Sequence, residues 1–292
     1  MKQYLKLLRP HQWLKNGFVL MPAFFAGKIG LLFSGPRLAL ATLSFCFVAS
    51  AVYIFNDIRD LERDKLHEIK RRRPLALGTV ALRNAVILMI VLVGLGSGLA
   101  LMVSSSFFYV VVGYVGINIL YSLGVKHISL IDISFVAFGF VLRVLAGGIA
   151  AEVPVSKWII LMTFLLASCL ALGKRRDDLL LDVDVKELRP ALSGYSLTFI
   201  DVCLVVLSVT TIVCYIMYTV SEEVVQRLHS DHIYLTSVFV IIGILRFLQI
   251  AIVEERSGSP THIILKDNMI QAMVGLWVVC FMIIIYASQT GN

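Results

Sequence analysis

AVILMIVLVGLGSGLALMV, residues 85–103, runs for nineteen residues without a charged side chain and belongs to an apolar segment spanning 82–103. At 1.5 Å per residue, a helix of that length crosses the hydrocarbon core of a bilayer. Working outward from it, eight more runs of similar length follow one another: 17–33, 37–55, 106–124, 131–151, 155–172, 198–220, 232–253 and 269–288. The 292 residues are 59% hydrophobic and 15% charged, with a mean hydropathy of +0.88. A soluble core does not absorb that much apolar surface. Barrel strands would be about half as long and alternate with period two, and the sequence has no such pattern. The sequence therefore predicts an all-α integral membrane protein, a bundle of nine transmembrane helices forming one domain over 1–292. Residues 1–16 are expected as an interfacial N-terminal segment, and 56–81 and 173–197 as loops on one membrane face.

The first apolar run carries Pro22 and Lys28 and ends without a small-residue cleavage site, so it is expected as part of the bundle rather than as a removed leader. Cys46, Cys169, Cys203, Cys214 and Cys280 all lie inside apolar segments with no C-x-x-C pair, which reads them as small hydrophobes. Of 26 Lys and Arg residues, twenty fall in the N-terminal tail and the loops after the second, fourth, sixth and eighth segments. The opposite side holds Lys28, Arg37, Lys157 and Arg227, and Arg143 and Arg246 sit within apolar segments. The excess of positive charge puts the first set in the cytoplasm, with the N-terminus and the site inside and the C-terminus outside.

The chemistry concentrates in NDIRDLERDKLHEIKRRRPLALG, residues 56–78. Asp57, Asp60 and Asp64 are spaced by three and four, which on a helix places them on one face where they can converge on a cation. Asp57 follows an apolar helix with no polar linker, where an unpaired carboxylate is costly. Oxygen ligands without Cys or His favour a hard ion, Mg²⁺ with Mn²⁺ as the alternative, which keeps waters and bridges phosphate oxygens. Lys70, Arg71, Arg72 and Arg73 follow at once, before Pro74 ends the helical pattern. Carboxylates beside cations suit a metal-chelated diphosphate.

Other polar groups recur at the same face. In the N-terminal tail, an interfacial helix on anionic lipid is one reading; the other has Arg9, Lys15 and Asn16 facing the site. Tyr121, Lys126 and Asp132 bracket the junction of the fourth and fifth segments, and Arg143 lies eleven residues beyond Asp132, about three turns along. An intramembrane arginine is a functional candidate, and structural pairing accounts for it equally well. The later stretch Lys174, Arg175, Arg176, Asp177, Asp178 and Asp182 repeats the acidic-basic theme, with Asp178 and Asp182 four apart. RPLALG at 73–78 and RPALSG at 189–194 share a spacing that loop punctuation explains as well as a pseudo-repeat around one site does.

This constellation resembles the UbiA superfamily of intramembrane prenyltransferases. Asn56, Asp57, Asp60 and Asp64 match its N-D-x-x-D-x-x-x-D motif, and residues 73–78 match the R-P-L-A-x-G that tends to follow. Within it, RPHQWLKN at 9–16, YSLGVKHISLID at 121–132, GFVLRVLAGG at 139–148 and GKRR at 173–176 are most similar to the decaprenyl-phosphate phosphoribosyltransferase branch. That branch tends to favour basic residues in its second loop, whereas here GKRR is followed by Asp177, Asp178 and Asp182. The resemblance implies transfer of 5-phosphoribose from phosphoribosyl diphosphate to a polyprenyl phosphate, feeding a cell-wall precursor, with Asp57, Asp60 and Asp64 holding Mg²⁺ and acting in catalysis with Lys126 and Arg143. Substrate contacts are then expected from Lys15, Asn16, Asn56, Lys70 to Arg73, Tyr121, Asp132, Lys174 to Arg176, Asp178 and Asp182. Membrane lipids are expected partners and nucleic acid is not. Two other readings compete. One is a prenyltransferase joining a polyprenyl diphosphate to an aromatic acceptor. The other is a lipid-binding or transport protein, which would carry ionisable groups near midplane rather than at one face.

Overall fold

Because no water enters the hydrocarbon layer, each spanning segment has to satisfy its backbone internally, and the computed structural model does so with helices. It describes residues 2–28, 30, 36–66, 70–180, 190–255, 263 and 266–290, and contains no strand among them. The chain begins with α1 (Lys2–Leu8), a 3₁₀ segment (Pro10–Val19) and α2 (Met21–Phe25). Then come α3 (Pro36–Arg59), α4 (Leu61–Leu66), α5 (Leu82–Val103), α6 (Ser105–Leu123), α7 (Ile131–Ala151), α8 (Lys157–Leu180), α9 (Leu197–Val220), α10 (Glu222–Leu228), α11 (Ser237–Leu248) and α12 (Asn268–Thr290). A π-helical turn, Gln249–Val253, extends α11. Eight helices among the described residues are long and apolar enough to cross a membrane. Their outward side chains, such as Ile90, Met102, Ile283 and Tyr286, are exposed and apolar. The protein is an integral membrane protein.

The expected first helix over 17–33 is replaced, over its described residues 17–28, by broken pieces. Pro22 has no N–H to give and stands in the first turn of α2, and Gly27 takes a positive φ of 69° just after it. The segment still travels along α3 in the opposite direction. Arg9 meets Asp57, Trp13 Nε1 donates to Ser50 Oγ at 3.0 Å, and Asn16 Nδ2 donates to Cys46 Sγ at 3.2 Å. The advance from residue 9 to 16 is about 14 Å as a 3₁₀ helix, matching about 16 Å from 57 back to 46 on α3. The N-terminal tail is docked rather than only interfacial: Leu7 is fully buried, and Ser50 Oγ donates to Leu8 O at 2.8 Å.

Two compact units emerge, Met1–Lys126 with Gly139–Val155, and His127–Phe138 with Ser156–Asn292. In the first, α3 and α5 approach at Gly96, where a Cβ would lie 2.5 Å from Val48 Cγ2. The distal part of α7 presses so close to the 3₁₀ segment that a Cβ on Gly147 would stand 2.0 Å from Val19 O. Phe45 contacts Phe107 and Tyr114 edge-on in the core between these helices. In the second unit α8 packs on α9, with Cys169 Sγ 3.5 Å from Ser208 Oγ. The five cysteines are free, as their apolar settings predict.

One boundary differs in a way that matters. The sixth segment is expected to end at 172, but α8 continues to Leu180, so Gly173 to Asp178 are helical rather than part of a loop. Lys, Arg and Leu are good helix formers, and no proline follows until Pro190. Residues 190–194 form a 3₁₀ turn. Asp182 and Arg189 lie outside the described residues.

Candidate active site

Asp57 sits in the last turn of α3 and Asp64 in α4, and helical hydrogen bonds carry across the break at Asp60, from Asp60 N to Asn56 O at 2.9 Å and Asp64 N to Asp60 O at 2.8 Å. The three aspartates therefore keep the register their spacing predicts; Asp57 and Asp64 share one cation and Asp60 meets another. Arg73 Nη1 lies 3.0 Å from Asp57 Oδ1 and 2.6 Å from Asp64 Oδ2, bridging two buried carboxylates with one nitrogen. Arg9 Nη2 donates to the same Asp57 oxygen. Asp60, more exposed, accepts from Lys126 Nζ at 2.5 Å. Burial pushes the Asp64 carboxyl above its usual range, and the neighbouring Arg73 only partly offsets this.

Arg73 can reach inward because its turn is anchored. Pro74 and Leu75 are buried, Leu77 N returns to Arg73 O at 2.9 Å, and Gly78 supplies the positive φ of 70° that closes the turn. Lys70 is half-buried and acts on Asp64, whereas Arg71 and Arg72 are exposed. Asn56 Oδ1 accepts from Ser122 Oγ, which also donates to Asn118 O at 2.8 Å. That link fastens the end of α3 to the end of α6, close to Lys126. Tyr121 is half-buried on the same last turn.

Deeper in this unit, Arg143 is held by neutral groups. Its Nε donates to Asn16 Oδ1 at 2.9 Å, Nη2 to Tyr114 Oη at 2.8 Å and Nη1 to Gly139 O at 2.8 Å. Its guanidinium carbon lies 4.6 Å from the Tyr114 ring centroid and 5.4 Å from that of Phe140. Arg143 thus joins the 3₁₀ segment, α6 and α7, and holds the Asn16 side chain. Lys15, next to Asn16, is half-buried; burial, then the charges of Arg143 and Arg9, push its pKa down to about 8.

The second unit uses its basic residues differently. Asp132, fully buried in the first turn of α7, accepts from Arg175 Nε at 2.7 Å and from Tyr195 Oη at 2.8 Å. The same tyrosine oxygen accepts from Leu130 N at 2.6 Å. Arg175 also reaches Asp178 at 3.3 Å. Arg176 Nε donates to Asp201 Oδ1 at 2.7 Å. Lys174 is exposed. Lys126, Asp132 and Arg143, expected as one polar wall, are therefore each engaged in a separate local network. The pattern of the sequence did not reveal Tyr195, Tyr114 or Ser122. Asp201 carried a signal, a lone carboxylate inside an apolar run.

Among the described residues, no three carboxylate, histidine or cysteine groups gather into a ready-made cage for an ion. The donor set nonetheless fits a hard divalent cation. Asp57 and Asp64 already share one cationic nitrogen, and Mg²⁺ is commonly held by one or two carboxylates, waters and substrate phosphates rather than by an all-protein cage.

These features define a helical membrane protein with its charged site at the ends of its spans, and comparison with known proteins places it. The sequence pattern of the UbiA prenyltransferase family matches residues 18–220. The decaprenyl-phosphate phosphoribosyltransferase of Corynebacterium glutamicum is 30% identical over 287 residues, 97% of this chain and 86% of that protein. The protein of the same name from Mycolicibacterium smegmatis is 29% identical over 285 residues, 94% and 89% of the two chains. A UbiA homolog from Archaeoglobus fulgidus, solved bound to GPP and Mg²⁺, shares the fold with a TM-score of 0.71 at 23% identity, covering 98% of this chain and 99% of that one. The chain belongs to the UbiA prenyltransferase family and is a transferase.

Proposed function

We propose that the protein, as one domain, transfers 5-phosphoribose from phosphoribosyl diphosphate to a polyprenyl phosphate of the decaprenyl type and releases diphosphate. The observation that carries this choice is the likeness, along nearly the whole chain, to two proteins named decaprenyl-phosphate phosphoribosyltransferase. In the reaction the bond from ribose C1 to the diphosphate oxygen breaks, and a bond from C1 to an oxygen of the lipid phosphate forms. The acceptor is already an anion, so no strong base is needed, and the site's main task is to stabilise the departing diphosphate.

Mg²⁺ held by Asp57, Asp60 and Asp64 would supply Lewis-acid stabilisation of that leaving group. Arg9, Arg73 and Lys126, which pair with these aspartates, would hold phosphate oxygens beside it, with Lys70 and Lys15 adding charge. Asn56 is oriented by Ser122, and Asn16 by Arg143. The lipid phosphate reaches this site from the membrane, and phosphoribosyl diphosphate from the cytoplasm of a bacterial cell. This orientation has the tail inside, the broken first segment and α3 crossing in opposite directions, and the C-terminus outside.

The competing reading is prenylation of an aromatic acceptor. It is favoured by the A. fulgidus homolog, whose structure holds GPP and Mg²⁺ on the same fold. Purified protein supplied with Mg²⁺, labelled phosphoribosyl diphosphate and a polyprenyl phosphate is expected to place the label on the lipid. No labelled lipid, together with prenylation of an aromatic acid from a polyprenyl diphosphate, would overturn the proposal.

A further inference from the structure

Three carboxylates in the first unit, Asp57, Asp60 and Asp64, face three cations, Arg9, Arg73 and Lys126. In this cluster each carboxylate has a cationic partner, and the single nitrogen Arg73 Nη1 lies between Asp57 and Asp64. We propose that Arg73 is the resident cation of the carboxylate site: it has to leave before a divalent ion can enter, and its released guanidinium then takes a phosphate of the incoming donor. The inference rests on the metal-dependent reading above and adds to it an obligatory exchange.

Asp57 and Asp64 are buried, so leaving them without a cation between them is costly. A divalent ion arriving alone would displace Arg73 and leave its guanidinium without an anion, which is unfavourable beside Arg9. Arriving with a diphosphate, it supplies the anion, and arginine binds phosphate with paired, charge-assisted hydrogen bonds. The Arg73 side chain is partly exposed, while Pro74 and Leu75, which follow it, are buried. Metal and donor therefore bind cooperatively. By linkage, each tightens the other by the same factor. The exchange also keeps the carboxylates from collecting metal when no donor is present.

The test measures Mn²⁺ binding, by the electron paramagnetic resonance signal of the free ion, to the detergent-purified full chain without any phosphate compound. The variant Arg73→Gln is expected to bind Mn²⁺ about tenfold more tightly than the wild type, because its competitor is gone. At saturating Mn²⁺ it should bind phosphoribosyl diphosphate at least tenfold more weakly. Arg73→Met, which keeps the packing of the stem, should behave alike, and thermal unfolding in detergent checks that both variants are folded. Mn²⁺ binding by folded variants that is unchanged or weaker than wild type overturns the exchange. If instead wild type and both variants fail to bind Mn²⁺, with or without the donor, the metal-dependent reading itself fails.

Discussion

Two basic stretches, read alike in the sequence, serve opposite purposes. Around Asp57 the cations converge on shared carboxylates from the protein's own acidic motif, Arg73 bridging two of them. Around Arg175 the nearest acids come from other helices, Asp132 at the start of α7 for Arg175 and Asp201 on α9 for Arg176, with Asp178 and Glu255 as their second partners. A shared, crowded arrangement is exchangeable, because any partner that leaves is replaced by another charge. The contact of Arg175 with fully buried Asp132 is not, because that carboxylate lies out of reach of water and is held by Tyr195 as well. The first arrangement suits binding and chemistry, and the second braces helices.

The largest effect should come from the shared site. Asp57→Asn removes the carboxylate that Arg9 and Arg73 both use, and transfer is expected to fall by about a thousandfold, the scale of losing an electrostatic stabiliser in a dry site; initial rates at saturating substrates measure it. In the brace, Asp132→Ala should cost stability instead, about 3 kcal/mol, because buried Arg175 and the Tyr195 hydroxyl both lose this acceptor, read as a lowered unfolding midpoint in detergent. Folded Asp132→Ala protein that keeps its midpoint but loses transfer would erase the contrast.

A smaller effect concerns pH. The folded-state pKa of Lys15 lies near 8, below its ordinary value, so the native state holds fewer protons than the unfolded one above about 8 and stability rises with pH from there to the ordinary lysine range. Anion binding has the opposite sign, since it needs the protonated amine. The rate at limiting donor, kcat/KM, should therefore decline as pH passes through about 8. In Lys15→Arg that decline should vanish. Smallest of all, Ser122→Ala loses the tie that orients Asn56, about 1 kcal/mol by the usual scale of a hydrogen bond, expected as a several-fold rise in the KM for the donor.

Much of this architecture is legible in the chain. Spanning length and composition identify the membrane helices, and the three-four spacing of Asp57, Asp60 and Asp64 marks the acidic motif. What remains hidden is whatever depends on partners far apart in sequence. The partner of Arg175, Asp132, lies forty-three residues away. Those of Arg143, Asn16 and Tyr114, lie on two other elements. Hydrophobicity alone also hides local breaks: 17–33 is apolar enough to span as one helix, but Pro22 and Gly27 divide it. Conversely, the charges after Gly173 suggest a loop, whereas helix propensity carries α8 on to Leu180.

The most direct test compares Asp57→Asn with Asp60→Asn combined against Arg175→Met, measuring Mg²⁺-dependent transfer of labelled phosphoribose to a polyprenyl phosphate per mole of folded protein. The double variant is expected to lose transfer while keeping its fold, and Arg175→Met to keep transfer below a lowered unfolding temperature. Retained Mg²⁺-dependent transfer in the double variant would contradict the account.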